Sequence, residues 1–160
     1  MHLAFSVVIM LSILTNYGYS LNGPIKIVNS NSTENRSLIV NEVLVLRIIV
    51  SVIIIFFSYP IIAFYVDESL RKILFFSLII LFTEALNPLF YLQGVNKILP
   101  QALLILFSKS LYLLLIILFI SEESDTYLAN FFYGLSISFF FLIFWVRNYV
   151  FKKIIFKISI

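Results

Sequence analysis

From its third residue onward the chain reads as long apolar runs separated by short polar segments. Five runs, at 3–21, 38–65, 70–91, 98–120 and 127–151, reach the roughly 20 residues that a helix needs to cross ~30 Å of hydrocarbon. None alternates apolar and polar residues with the period of two that a membrane barrel strand requires. The polar segments between them are short, as connections between antiparallel neighbouring helices are. The pattern predicts an all-α fold in which residues 1–160 form a single polytopic bundle of about five transmembrane helices.

Composition agrees. Of the 160 residues 62% are hydrophobic and 12% charged, against about 45–50% apolar and about 25% charged in soluble domains, and mean hydropathy is +1.09. Lipid is the expected solvent. The absence of cysteine excludes disulfides, thiolate metal sites and cysteine nucleophiles. The one histidine, His2, stands at the terminus, which leaves no material for a histidine metal centre or a Ser-His-Asp triad. There is no Gly-rich phosphate loop, nucleophile elbow or paired-carboxylate site, so neither an enzyme nor a cofactor is expected. The net charge of +3 does not point to nucleic acid, because no soluble segment interleaves a basic patch with stacking aromatics.

The first run resembles a signal peptide in length, with Ser20 near a cleavage point. It lacks a basic n-region and is interrupted by Asn16, Tyr17 and Gly18, which favours a membrane span. The segment 29–37, "NSNSTENRS", is the most loop-like in the chain. Lys26, Arg36, Lys97, Arg147, Lys152, Lys153 and Lys157 fall in one alternate set of polar segments, while only Arg71 and Lys72 fall in the other. The positive-inside rule then places the first set in the cytoplasm. Five spans put the N-terminus outside and the C-terminal tail inside.

Arg47, Lys109 and Glu84 remain within spans, with Glu42 near the start of one. A charge at mid-helix costs about 2.5–3.5 kcal/mol to insert and usually faces a partner or a water-filled cavity. If the third and fourth runs turn near Asn96, Glu84 and Lys109 both lie roughly 18–20 Å from that turn. Two readings stand: a buried Glu84–Lys109 pair that fixes packing, or a polar cavity with excess positive charge. Arg47 favours the cavity, since one acid cannot neutralise two cations, and Glu42 is five residues away, a poor spacing for pairing on a helix. Pro88 cannot donate to the Glu84 carbonyl, so the third span should kink there. Gly94 reads as a helix C-cap, and Gly18 as a close helix contact.

"NPLFYLQGVNK", 87–97, resembles the hallmark of Wzx-type polysaccharide flippases, an Asn/Phe-Pro-x-aromatic-aromatic-Gln-Gly-x-x-Lys run that ends a transmembrane helix, with Leu92 standing here between the aromatic pair and Gln93. "NYGYSLNGPIKI", "FSKSLYLLLIILFI" and "SDTYLANFFYGL" resemble further family segments in the same order. Asn16 stands where the family has an acid, and Phe90-Tyr91 where it usually has Trp/Phe-Phe. The resemblance implies the second to sixth helices of the first lobe of a larger two-lobed fold, and hence a fragment. It further implies transport of undecaprenyl-pyrophosphate-linked oligosaccharide, an O-antigen or capsule repeat unit, across the bacterial inner membrane. The implied partners are the lipid-linked oligosaccharide, membrane lipid and the polysaccharide polymerase machinery. Arg47, Lys109, Glu84, Asn87, Gln93 and Lys97 become the candidate substrate-binding residues, lining a lumen and its cytoplasmic gate. Competing readings are a drug antiporter or peptidoglycan-precursor flippase of the same superfamily, and a small structural membrane subunit.

The orientation is directly measurable, because single cysteines can be introduced into a chain that has none. A cysteine at Ser124 should react with an impermeant thiol probe only from outside, and one at Asn31 only from the cytoplasm. The opposite pattern would reverse the orientation.

Overall fold

Three of the five apolar runs fold as unbroken helices, and two are interrupted. In a computed structural model that describes residues 2–16, 18–151, 154 and 155, the first run forms α1 (His2–Asn16) and α2 (Tyr19–Val28). The second is α3 (Thr33–Tyr65). The third is divided into α4 (Glu68–Ser77), α5 (Ile79–Ala85) and α6 (Leu89–Gly94). The fourth is α7 (Ile98–Phe119), and the last is α8 (Tyr127–Val150), entered through a short 3-10 turn at Glu123–Thr126. The chain is an all-α bundle, with five helical segments long and apolar enough to cross a membrane, and so a multi-pass membrane protein. Tyr17 and the tail lysines Lys152, Lys153 and Lys157 lie outside the described residues.

The helix ends follow local chemistry. The first span runs on to Val28, beyond the expected end near residue 21, because α2 buries Gly23 and Ile27. A Cβ at Gly23 would stand only 3.1 Å from Phe90 of α6. Most of the polar 29–37 segment is the first turn of α3. Ser32 is its N-cap, with the Asn35 N–H donating to Ser32 Oγ at 3.1 Å, and Glu34 sits in the first turn where the helix dipole favours an acid.

The kink expected at Pro88 is a complete break. Residues 86–88 separate α5 from α6, and the Asn87 N–H reaches the Glu84 carbonyl at 3.3 Å, a tighter turn that Pro88 forces by having no N–H. A second break, at Leu78, has a different origin. Ser77 Oγ donates back to the Ile73 carbonyl at 2.7 Å and accepts from Asn130 Nδ2 at 2.8 Å; such back-bonding bends helices. Gly134 of α8 also presses on this point, where an added Cβ would fall 2.5 Å from Ile79 Cγ2.

The two glycines exchange their expected roles. Gly94 is inside the last turn of α6, and the left-handed residue beyond it is Asn96, at φ 53°. The Lys97 N–H bonds the Leu92 carbonyl at 2.8 Å and the Asn96 N–H the Gln93 carbonyl at 3.0 Å, the paired closure of a Schellman motif. Gly94 is there for space: a Cβ would meet Ile27 Cβ at 2.5 Å. Gly18, at φ 75° and exposed, supplies backbone freedom at the start of α2 rather than a close contact.

Two buried apolar clusters result. One joins α2, α6 and the first half of α3 through Ile27, Val40, Val43, Phe90 and Leu92, with Trp145 of α8. The other joins α1, α4, α5 and the far half of α3 through Val8, Ile62, Leu74, Ile80 and Leu81.

Gly94→Ala should lower thermal stability in detergent, by about 1–3 kcal/mol as overpacking does. Ile27→Ala in the same chain should recover part of that loss. An unchanged melting curve for Gly94→Ala would contradict the close approach of α2 and α6.

Candidate functional site

Between the two clusters lies a polar layer, and Arg47 is at its centre. Its side chain is only 2% exposed. Nη1 donates to the Asn87 carbonyl at 3.2 Å and Nη2 to Asn16 Oδ1 at 2.5 Å, while Nε is buried with no hydrogen-bond partner among the described residues. The Phe90 ring lies under the guanidinium, 5.0 Å from Cζ to the centroid, a cation–π distance. Asn16 ends α1 and Asn87 sits in the gap between α5 and α6. One side chain thus bridges both interrupted spans at their interruptions.

The broken backbone is satisfied by side chains, as a low-dielectric environment demands. The break frees the carbonyls of Leu86 and Asn87. Trp145 Nε1 donates to the first at 2.7 Å and Arg47 to the second. Asn87 Oδ1 accepts the Leu89 N–H at 3.1 Å, and Asn87 Nδ2 donates to Glu84 Oε2 at 3.3 Å. Nearby, Ser51 Oγ of α3 donates to the Leu81 carbonyl at 3.2 Å, and Thr83 Oγ1 to the Gly134 carbonyl at 3.2 Å.

Beside this layer a cavity of about 220 Å³ opens between α1, α5, α7 and α8. Glu84, Asn87, Ser108, Lys109 and Tyr133 supply its polar wall, and Ile9, Ile80 and Phe141 part of its apolar wall. Lys109 and Glu84 both line it, but they form no direct ion pair. Lys109 Nζ lies over the Tyr133 ring, 4.3 Å from the centroid, and Glu84 is occupied by Asn87. Equal distance from the turn brings the two charges to one cavity; it does not turn them toward each other.

The structure divides the six expected site residues among four places. Glu84, Asn87 and Lys109 share the cavity. Arg47 is linked to it through Asn87 and through the charge of Glu84, which acts on the guanidinium. Gln93 is exposed on α6, away from the cavity lining. Lys97 lines a separate groove with Arg147. Glu42 is exposed on α3 and is not the partner of Arg47. Sequence reasoning missed Asn16 as the Arg47 acceptor, Tyr133 as the platform under Lys109, and Trp145. The signal for Trp145 was present: it is the one tryptophan, deep in an apolar run, where an indole N–H needs an acceptor.

No protein-family model, curated protein or solved structure matches the chain.

Proposed function

We propose that this chain takes part in moving a lipid-linked oligosaccharide across a bacterial inner membrane, as a component of a Wzx-type flippase. The observation that carries the reading is the convergence of Glu84, Asn87 and Lys109 on one cavity between α1, α5, α7 and α8, with the buried cation Arg47 beside it. Of the segment 87–97 that prompts the family resemblance, Asn87 lines the cavity.

The chemistry suits an undecaprenyl-pyrophosphate carrier. Lys109 offers a mobile ammonium with three rotatable donors to an anionic head group. Its resting place on the Tyr133 ring is an easily released contact rather than a buried ion pair. Glu84 and Asn87 supply acceptors and a donor for hydroxyl groups. At about 220 Å³ the cavity falls below the range that encloses a drug-sized ligand. It would engage the phosphate or one sugar, leaving the rest of the repeat unit outside. Arg47 serves as a fixed positive background, because both of its bonded Nη groups already hold the backbone and Asn16.

The test is chromosomal substitution in the host bacterium, with surface polysaccharide as readout and membrane abundance of the protein as control. Lys109→Ala should lower surface polymer roughly ten-fold or more, as loss of a charge-assisted hydrogen bond does, with Lys109→Arg retaining most export. Lys26→Ala, on α2 and outside the cavity, should leave export normal. Full export by Lys109→Ala at normal abundance would overturn the proposal.

A further inference from the structure

A second site lies at the basic end of the bundle, where α7 begins beside the last turns of α8. The groove there has a volume of about 380 Å³, within the range of small-molecule sites. Its walls are apolar, chiefly Leu103, Phe107, Ile143 and Phe144. Its mouth carries two cations, Lys97 and Arg147. Both are exposed, and neither side chain has an acidic or hydrogen-bonding partner among the described residues; Arg147 Cζ lies 5.9 Å from the Phe151 ring centroid. The first turn of α7 also lines the mouth through Leu99 and Pro100. No side chain among the described residues caps that helix end, so the positive pole of a 22-residue helix lies beside the mouth.

We propose that this groove binds an anionic phospholipid of the surrounding bilayer. The phosphate sits between Lys97, Arg147 and the start of α7, and one acyl chain follows the apolar wall between α7 and α8. Three features support this occupant together. The mouth has positive charge that no acid among the described residues balances. The wall behind the mouth is apolar and opens along two membrane-spanning helices, which suits a chain and not a soluble anion. Basic pockets between transmembrane helices bind anionic head groups by this chemistry. Another groove at the same end makes the contrast: it is lined by Glu42 as well as Lys26, and so lacks the excess charge. The proposal is independent of the flippase reading, since it uses neither the cavity nor Arg47.

Native mass spectrometry of the full chain, released from micelles containing phosphatidylglycerol or phosphatidylcholine of matched acyl chains, tests it. Phosphatidylglycerol should be retained in preference to phosphatidylcholine. Lys97→Gln combined with Arg147→Gln should weaken that retention by about thirty-fold, given the attraction of each basic residue for an anionic head group. Leu103→Trp, which fills the groove without touching its charge, should lower retention as well. Circular dichroism confirms that each variant is folded, and Lys26→Gln should behave as the parent. Equal retention of the two lipids would overturn the proposal, as would an unchanged preference in the double variant. Displacement of the lipid by millimolar inorganic phosphate would also overturn it, because a head group alone would then account for binding.

Discussion

A guanidinium buried in an apolar bundle must find acceptors, and a helix broken inside a membrane must find donors. Arg47 meets both demands at once. The gap between α5 and α6 leaves the Asn87 carbonyl free, and the end of α1 presents the Asn16 side chain. Neither the charge nor the free carbonyl is tolerable alone in hydrocarbon. Together they require the two interruptions to face each other at one level. Given that register, α2 and α6 pack as a pair on one side of the polar layer, with α1, α4 and α5 on the other.

The cavity follows from the same break. Ending α5 at Ala85 and restarting at Leu89 turns Asn87 so that it holds Glu84, caps the next turn and lends its carbonyl to Arg47. Space then remains between α1, α5, α7 and α8 that no apolar side chain fills, and Lys109 enters it from α7. Arg47 therefore acts on the cavity indirectly, through the residue it anchors.

Much of this was legible in the residues, and the rest was not for identifiable reasons. The five spans follow from run length alone, and the break at 86–88 follows from the chemistry of one proline. The break at Leu78 depends on Asn130 and Gly134, more than fifty residues away, and leaves no local mark. Depth along a helix is simple arithmetic, and the residues it sets at equal distance from the turn, Glu84 and Lys109, line one cavity. Rotation about the helix axis is not, which is why their direct pairing was not realised and why Gln93 turned out to be exposed. The glycines illustrate the same limit: Gly94 and Gly18 read alike as special positions, but only tertiary contact distinguishes a residue needed for space from one needed for a positive φ.

If Arg47 holds the two interrupted spans together, removing its charge must loosen both at once. Hydrogen–deuterium exchange on Arg47→Met, compared with the parent chain in the same detergent, reads this residue by residue. Leu89, whose N–H is bound by Asn87, and Asn22, whose N–H closes on Gly18, should both exchange about ten-fold faster or more, in line with the ~1.5–3 kcal/mol of a hydrogen bond to a charged group. The centre of α7 should keep its protection. Faster exchange at one break and not the other, or at neither, would contradict the bridging role of Arg47.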